Sequence, residues 1–200
     1  TLHAADEAAW LVLWKLGQPL DVDTQTLLDD LPEASVQAVL DLLTQRIQSR
    51  KPLAYLTQEA WLQGVSFYVD ERCLIPRSLI AEVLADGSID PWLNPEASTA
   101  LDLCTGGASL AVLVALAYPQ LNVQALDISA DALAVAAINV QRHGLQEQIQ
   151  IVASDGLAKA QGIFDLIVCN PPYVNAQSMA LLPLEFQAEP SLALAGGTDG

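Results

Sequence analysis

Asn170, Pro171, Pro172 and Tyr173 form one unbroken stretch of the 200-residue sequence, and their types suit recognition of a flat polar group. The Asn170 side chain offers a carbonyl acceptor. The two prolines fix φ and donate no N–H, which leaves their carbonyls free to accept hydrogen bonds. Tyr173 adds a flat apolar face. Together these groups can hold a planar –NH2, with its two N–H bonds running to oxygens and its plane lying on the ring. A double proline after a strand is equally the mark of a rigid loop, so the case for chemistry rests on what precedes it.

What precedes it is a run of strand and turn signals spaced as in a parallel sheet. Residues 162–169 are mostly apolar and predict a buried parallel strand ending at Asn170. Residues 100–104 predict the first strand of the sheet. Thr105, Gly106, Gly107 and Ala108 predict a turn, and residues 110–117 a helix. A strand, a glycine turn and a helix start make a nucleotide-type site, because the backbone can be approached closely and N–H donors are free. The turn does not match the dinucleotide pattern G-x-G-x-x-G. Residues 123–126 predict a second strand ending in Asp127. An acid there, about twenty residues after the glycine turn, suits a ribose diol. Ser129 predicts the cap of a helix over 130–143, which Gly144 ends. Residues 149–153 predict a third strand, followed by Ser154, Asp155 and Gly156. A carboxylate at Asp155 suits the exocyclic amine of a purine. Each acid alone also reads as a helix cap or turn former, Asp155 more than Asp127. The ordered series Asp102, Gly106, Asp127, Asp155, Asn170 is hard to obtain that way, since ligands in open α/β sheets bind beyond the carboxyl ends of the strands.

Composition narrows the classes. Hydrophobic residues make up 52% of the chain, which argues against disorder. No apolar run reaches the ~18 residues needed to cross a bilayer. Residues 1–16 predict a helix rather than a signal peptide. Cys73, Cys104 and Cys169 are odd in number and far apart, matching neither a disulfide framework nor a metal-ligand spacing. Reduced thiols in a cytoplasmic, metal-free protein with no membrane association are the expectation. The net charge of −16 counts against tight binding to nucleic acid and suits a basic protein as partner.

Residues 1–52 predict a small helical domain. Ala8, Ala9, Leu11, Val12, Leu13 and Leu16 give the first helix its apolar face, with Trp10 and Trp14 as core residues, and Gly17 and Pro19 stop it. Asp23 and Thr24 predict the cap of a short helix reaching Leu28. Ser35 predicts the cap of a third, which carries Val36, Val39, Leu40, Leu43 and Ile47 and ends at Pro52. Residues 53–78 predict a β-hairpin connector turning near Gly64. Arg77 within it suits an anionic ligand group, although a surface ion pair is the commoner fate of a lone arginine. Residues 79–200, opening with a helix over 79–84, hold the α/β sheet.

The motif series resembles the S-adenosylmethionine-dependent methyltransferases of the Rossmann-like class. The Asn-Pro-Pro-Tyr tetrapeptide is the signature of members that methylate a planar amino group, on adenine or cytosine in one branch and on a protein glutamine amide in the other. Residues 54–78 look like the glutamine branch, and within it they are closer to the family acting on ribosomal protein uL3 than to the release-factor enzyme. The tail from Glu189 to Gly200 is similar to the same family. The resemblance implies a class I methyltransferase sheet preceded by a helical domain, with S-adenosylmethionine as cofactor. It implies that Asp102, Cys104, Thr105, Gly106, Gly107 and Ala108 bind the methionine part, that Asp127 holds the ribose, that Asp155 and Gly156 border the adenine, and that Asn170 also contacts the cofactor. Asn170 and Pro171 would grip the substrate amide, with Pro172 in the same turn and Tyr173 packing on it. The family turn carries Ser-Gly where this chain has Gly107-Ala108, and the methyl of Ala108 is expected to crowd the cofactor or to demand a different φ. The chain also ends early for the class, which predicts a fragment lacking roughly a third of the catalytic domain, with an unfilled sheet edge.

Three readings of function follow. One is methylation of a glutamine in uL3, with a release factor as the nearest alternative substrate. Another is amino-methylation of a nucleic-acid base, which the charge disfavours. The third is a non-catalytic homologue.

Overall fold

Two independent runs of apolar periodicity build two units, Thr1–Thr57 and Gln58–Gly200, in the computed structural model. The structure describes residues 4–18, 22 and 32–200. In the first unit, α1 (Ala4–Lys15), α2 (Glu33–Ser49) and α3 (Leu53–Thr57) bury Leu11, Val39 and Leu53 together, with Trp10, Val12, Leu42 and Leu43 packed around them. An ion pair between Glu7 and Arg46 at 2.7 Å ties α1 to α2. The expected cap at Ser35 is not formed. Helix α2 starts three residues earlier, with Pro32 as its cap, because the Pro32 carbonyl accepts the N–H groups of both Ser35 and Val36, which leaves Ser35 inside the first turn. The helix expected from Asp23 to Leu28 lies outside the described residues, as does Pro19.

In the second unit, β1 (Ala60–Leu62) and β2 (Val65–Phe67) pair antiparallel around Gln63 and Gly64. Both turn residues have positive φ, 50° and 75°, the two-residue hairpin turn that matches strand twist. After α4 (Leu79–Ala85), capped by the Ser78 hydroxyl, comes the main sheet. Its strands are β3 (Thr99–Leu103), β4 (Asn122–Asp127), β5 (Ile149–Ala153) and β6 (Leu166–Cys169), all parallel in the order β5-β4-β3-β6. Helices α5 (Ser109–Ala117) and α6 (Ala130–Arg142) make the crossovers. Residues 110–115 of α5 are all buried, which its unbroken run of Leu, Ala and Val requires. Three short helices follow β6: α7 (Ala176–Met179), α8 (Leu184–Gln187) and α9 (Ser191–Leu194).

The register brings the strand ends level. Leu103 lies opposite both Leu126 and Cys169, and Asp127 lies opposite Ala153. The residues just after each strand therefore share one edge of the sheet. The strand expected over 162–169 is shorter than the apolar run suggests, and only Val168 of it is buried. Asp165 turns the chain instead: its Oδ2 accepts the N–H of Ser98 and Thr99 and the Thr99 hydroxyl at 2.9–3.1 Å. β6 starts one residue later as the edge of the described sheet, and Ile167 is 58% exposed.

Asn139 joins the hairpin to the glycine turn. It is buried in α6, accepts the Tyr68 N–H at 2.8 Å, and donates to the carbonyls of Tyr68 and Gly107 at 3.1 and 2.8 Å. His143, one turn on, bonds the Ser66 carbonyl at 2.9 Å. Asn139→Ala would leave a buried N–H and two carbonyls unpaired, so it should lower unfolding stability by about 2–4 kcal/mol in urea titration. A loss below about 0.5 kcal/mol would show that water replaces the amide there.

Candidate active site

Asp102, the penultimate residue of β3, is 1% exposed and sits beneath the turn that follows. Its Oδ2 accepts the Thr105 hydroxyl at 2.5 Å and the Ala111 N–H at 2.9 Å, so one oxygen pins both the turn and the first turn of α5. Its Oδ1 has no partner among the described residues. Burial pushes the Asp102 carboxyl up to about 7, opposed by those two hydrogen bonds and reinforced by the neighbouring charge of Asp127. The turn above takes Cys104 and Gly106 to positive φ, 60° and 54°, and a methyl placed on Gly106 would meet nothing within 4 Å. Open space therefore lies directly over the backbone.

Asp127 ends β4 and links the second strand to the same turn. Its Oδ2 accepts the Gly106 N–H at 2.8 Å and its Oδ1 the Ser129 N–H at 2.9 Å. Ser129 caps α6, as its position in the sequence predicts. At the end of β5, the Ser154 hydroxyl donates to the Gly156 carbonyl, which folds Asp155 and Gly156 over the edge.

These ends enclose a cleft of about 330 Å³, within the usual range for a small-molecule site. Of the residues singled out in the sequence, Cys104, Thr105, Gly106, Gly107, Asp127, Asp155, Gly156, Asn170 and Pro172 line it. Four do not. Asp102 acts from below. Ala108 adopts φ 63° as the N-cap of α5 with its methyl buried in the core, so the side chain expected to crowd a ligand points away from the cleft. The strain of a left-handed alanine, about 1–2 kcal/mol, is borne by the fold. Pro171 and Tyr173 face outward, Tyr173 at 70% exposure.

Apart from Arg77, for which an ion pair was the commoner expectation, the sequence reading passed over the opposite wall. Leu74, Pro76, Pro190, Leu192 and Ala193 line the cleft and make it largely apolar. Arg77 lines it too, while its guanidinium pairs with Glu189 and stacks 4.7 Å from the Phe186 ring centre. Arg72, another lining residue, is held by Asp70 at 2.6 Å, and this pairing keeps the Asp70 carboxyl below its ordinary value. Only the spacing of Asp70 and Arg72, two apart just after the hairpin, marks the first pair in the sequence, and nothing local marks the second, whose acid at Glu189 is 112 residues from Arg77.

The donor set indicates the ligand class. The carboxylates of Asp127 and Asp155 face the cleft with Asp102 below, and both lining arginines are neutralised by partners. A phosphate would meet repulsion here, whereas a ligand with hydroxyl or amine donors and a positive charge meets acceptors. Desolvation raises the thiols of Cys73 and Cys104 to about 11 and that of Cys169 above its ordinary value, so all three stay protonated at neutral pH and none serves as a thiolate nucleophile. Among the described residues no group of three or more His, Cys, Asp or Glu is placed to hold a metal, and no helix is long and apolar enough to cross a membrane.

Residues 88–193 match the family described as methyltransferase small domain. The chain is 47% identical over 202 residues to the ribosomal protein uL3 glutamine methyltransferase of Neisseria meningitidis serogroup A, covering 100% of this chain and 66% of that protein. Proteins of the same name from Burkholderia pseudomallei and Bordetella pertussis are each 48% identical, over 99% of this chain and 67% of theirs. The chain thus spans about two thirds of the length of these curated relatives. The fold is similar to that of the hMettl16 catalytic domain in complex with MAT2A 3'UTR hairpin 6, with a TM-score of 0.53 at 15% identity over 82% of this chain and 58% of that one.

The raised Asp102 carboxyl has a stability consequence with a definite sign. Between the ordinary carboxyl value of about 4 and its folded value of about 7, the folded protein holds a proton that the unfolded chain has released. Stability from this group is therefore fully present below about pH 4 and declines as pH rises through about 7. Asp102→Asn should remove that decline, so its melting temperature relative to the unaltered protein rises from pH 5 to pH 8. A constant offset across that range would show that the carboxyl titrates normally.

Proposed function

Because the chain belongs to the methyltransferase small domain family, we propose that it transfers a methyl group from S-adenosylmethionine to the side-chain amide nitrogen of a glutamine in ribosomal protein uL3. The observation that carries this reading is the entry of Asn170 and Pro172 into the same cleft as Gly106, Asp127 and Asp155. An amide-recognising turn and a set of acceptors for a cationic, hydroxyl-bearing ligand thereby share one cavity. The choice of uL3 rests on the curated relatives at 47–48% identity.

The residues present fit the cofactor. The unpartnered Asp102 Oδ1 lies under the turn, and the space over Gly106 admits a ligand atom close to the backbone. Residues 102–107 would hold the methionine end, with Ala108 shaping the turn from the core side. Asp127 would take the ribose hydroxyls, and Asp155 and Gly156 would border the adenine. S-adenosylmethionine would supply a methyl group on a positively charged sulfur: the amide nitrogen would bond to that carbon as the carbon–sulfur bond breaks, the neutral thioether would leave, and one N–H proton would pass to solvent.

A glutamine amide is a poor nucleophile, because its nitrogen lone pair is delocalised into the carbonyl. The Asn170 side chain would accept one N–H in the cleft and the Pro171 carbonyl the other, the Pro171 ring itself facing away from the cleft. Those two bonds orient the amide and favour charge developing on nitrogen. Orientation in a closed cleft supplies much of the rate without a metal or strong base. Tyr173, lying outside the cleft, would meet the acceptor protein beside the glutamine rather than stack within the cavity.

Asn170→Ala should lower methyl transfer about 100–1,000-fold and leave cofactor affinity little changed. Methyl-labelled S-adenosylmethionine would be offered with unmethylated uL3, a release factor and single-stranded DNA in parallel, and the products hydrolysed. Methylglutamine in uL3 is the expected product. Label in the release factor would move the substrate, and label in DNA would overturn the protein-glutamine reading. Turnover retained by the Asn170 variant would remove its assigned role.

A further inference from the structure

The strand-end wall of the cleft is held by the sheet. The wall that receives an acceptor is not: the Asn170–Tyr173 turn leaves an edge strand with no further strand beside it among the described residues. What holds this turn is the segment 189–197. The Leu194 carbonyl accepts the Val174 N–H, Gly196 donates to the Val174 carbonyl, and the Gly197 carbonyl accepts the Ala176 N–H, each at 2.9 Å. The approach is close. A methyl on Gly196 would stand 2.8 Å from the Tyr173 Cα and 3.0 Å from the Pro172 carbonyl oxygen.

The other end of the same segment grips the loop across the cleft. Glu189 is 5% exposed and directs both carboxylate oxygens to residues 75–77. Oε2 accepts the Ile75 N–H at 3.1 Å, and Oε1 accepts from the Arg77 guanidinium. Between these two anchorages, Pro190, Leu192 and Ala193 line the cleft.

We propose that residues 189–197 act as a strap that sets the acceptor side of the cleft, with Glu189 anchoring it to the 74–78 loop and Gly196 seating the Asn-Pro-Pro-Tyr turn upon it. Both are positioning residues for methyl transfer, a role that rests on the reading of function above. Neither contacts Asp127 or Asp155 through any of these hydrogen bonds, so disturbing the strap falls on the acceptor rather than on the cofactor. A shift of the turn by an ångström is enough to cost about 100-fold in rate.

The test uses the intact protein with Glu189→Ala, Glu189→Gln and Gly196→Ala, followed by hydrogen–deuterium exchange and by methyl-transfer kinetics. In Glu189→Ala, exchange should quicken in peptides covering both 72–78 and 172–176, while β3 and β4 stay protected. Gly196→Ala should quicken 172–176. Both variants should lose about 10–100-fold in kcat/KM for the glutamine acceptor with cofactor affinity little changed. Glu189→Gln, which keeps an acceptor for the Ile75 N–H, should fall between. Exchange that rises in 72–78 alone in Glu189→Ala overturns the strap, as does a parallel loss of cofactor affinity, acceptor turnover and melting temperature in all variants. If the unaltered protein transfers no methyl group to any acceptor, the reading of function fails by itself, and the exchange pattern still decides whether the strap couples the two walls.

Discussion

One oxygen of a carboxylate shut away from water organises the catalytic end of this fold. Asp102 Oδ2 accepts from Thr105 and from the Ala111 N–H, so the direction in which the chain leaves β3 and the direction in which α5 departs are set by the same atom. A left-handed conformation at Cys104, Gly106 and Ala108 lets the chain reverse within that short span. The turn is then tied sideways, by Gly106 to Asp127 and by Gly107 to Asn139. The glycine turn is therefore a node joining β3, β4, α5 and α6, and its exposed backbone is presented by a rigid body. Rigidity matters here because positioning is the main means of catalysis available without a metal or a thiolate.

The two walls of the cleft are built on different physical terms. The strand-end wall inherits its precision from parallel register: Leu103, Leu126 and Cys169 lie level, so the residues after them converge. The acceptor wall has no such support. It is assembled from loop 72–78, from the turn after edge strand β6, and from the strap between them, held by backbone hydrogen bonds and by the half-exposed Arg77 paired with the buried Glu189. Removing Arg77 would leave the buried Glu189 carboxylate without its ion-pair partner, which is the costly way to break such a pair. One wall thus rests on sheet register and the other on hydrogen bonds between loops, an arrangement that suits the proposed admission of a side chain from a partner protein.

Charge runs in one direction throughout. The carboxylates of Asp127 and Asp155 border the cleft above the buried Asp102, its two arginines are neutralised by Asp70 and Glu189, and the chain as a whole carries −16. The local arrangement favours a cationic ligand, and the global excess favours a basic partner. Both agree with transfer from a sulfonium to a protein of the ribosome, and both oppose the phosphate backbone of a nucleic acid.

Much of this was legible in the sequence, and for local reasons. Alternating apolar runs and glycine turns specify β3, β4, β5, α5 and α6 almost to the residue, because strand and helix periods are properties of neighbouring positions. Asp127, Asp155 and Asn170 were legible as candidates for the cleft since each lies at, or within two residues of, the end of a strand. Where the sequence misled, tertiary competition decided. Asp165 breaks the apolar run before β6 by binding Ser98 and Thr99, residues some 66 positions away. The Ala108 methyl enters the core rather than the cleft, a matter of side-chain direction that a motif comparison does not encode. The ties from Asn139 to Tyr68 and from Glu189 to Arg77 span 71 and 112 residues, and no periodicity links such positions. Sequence alone thus determined which elements form and which chemistry their ends carry. Only the folded chain decided which of those ends meet, and what holds the acceptor turn in place, because hydrogen bonds between distant segments depend on three-dimensional proximity rather than on spacing.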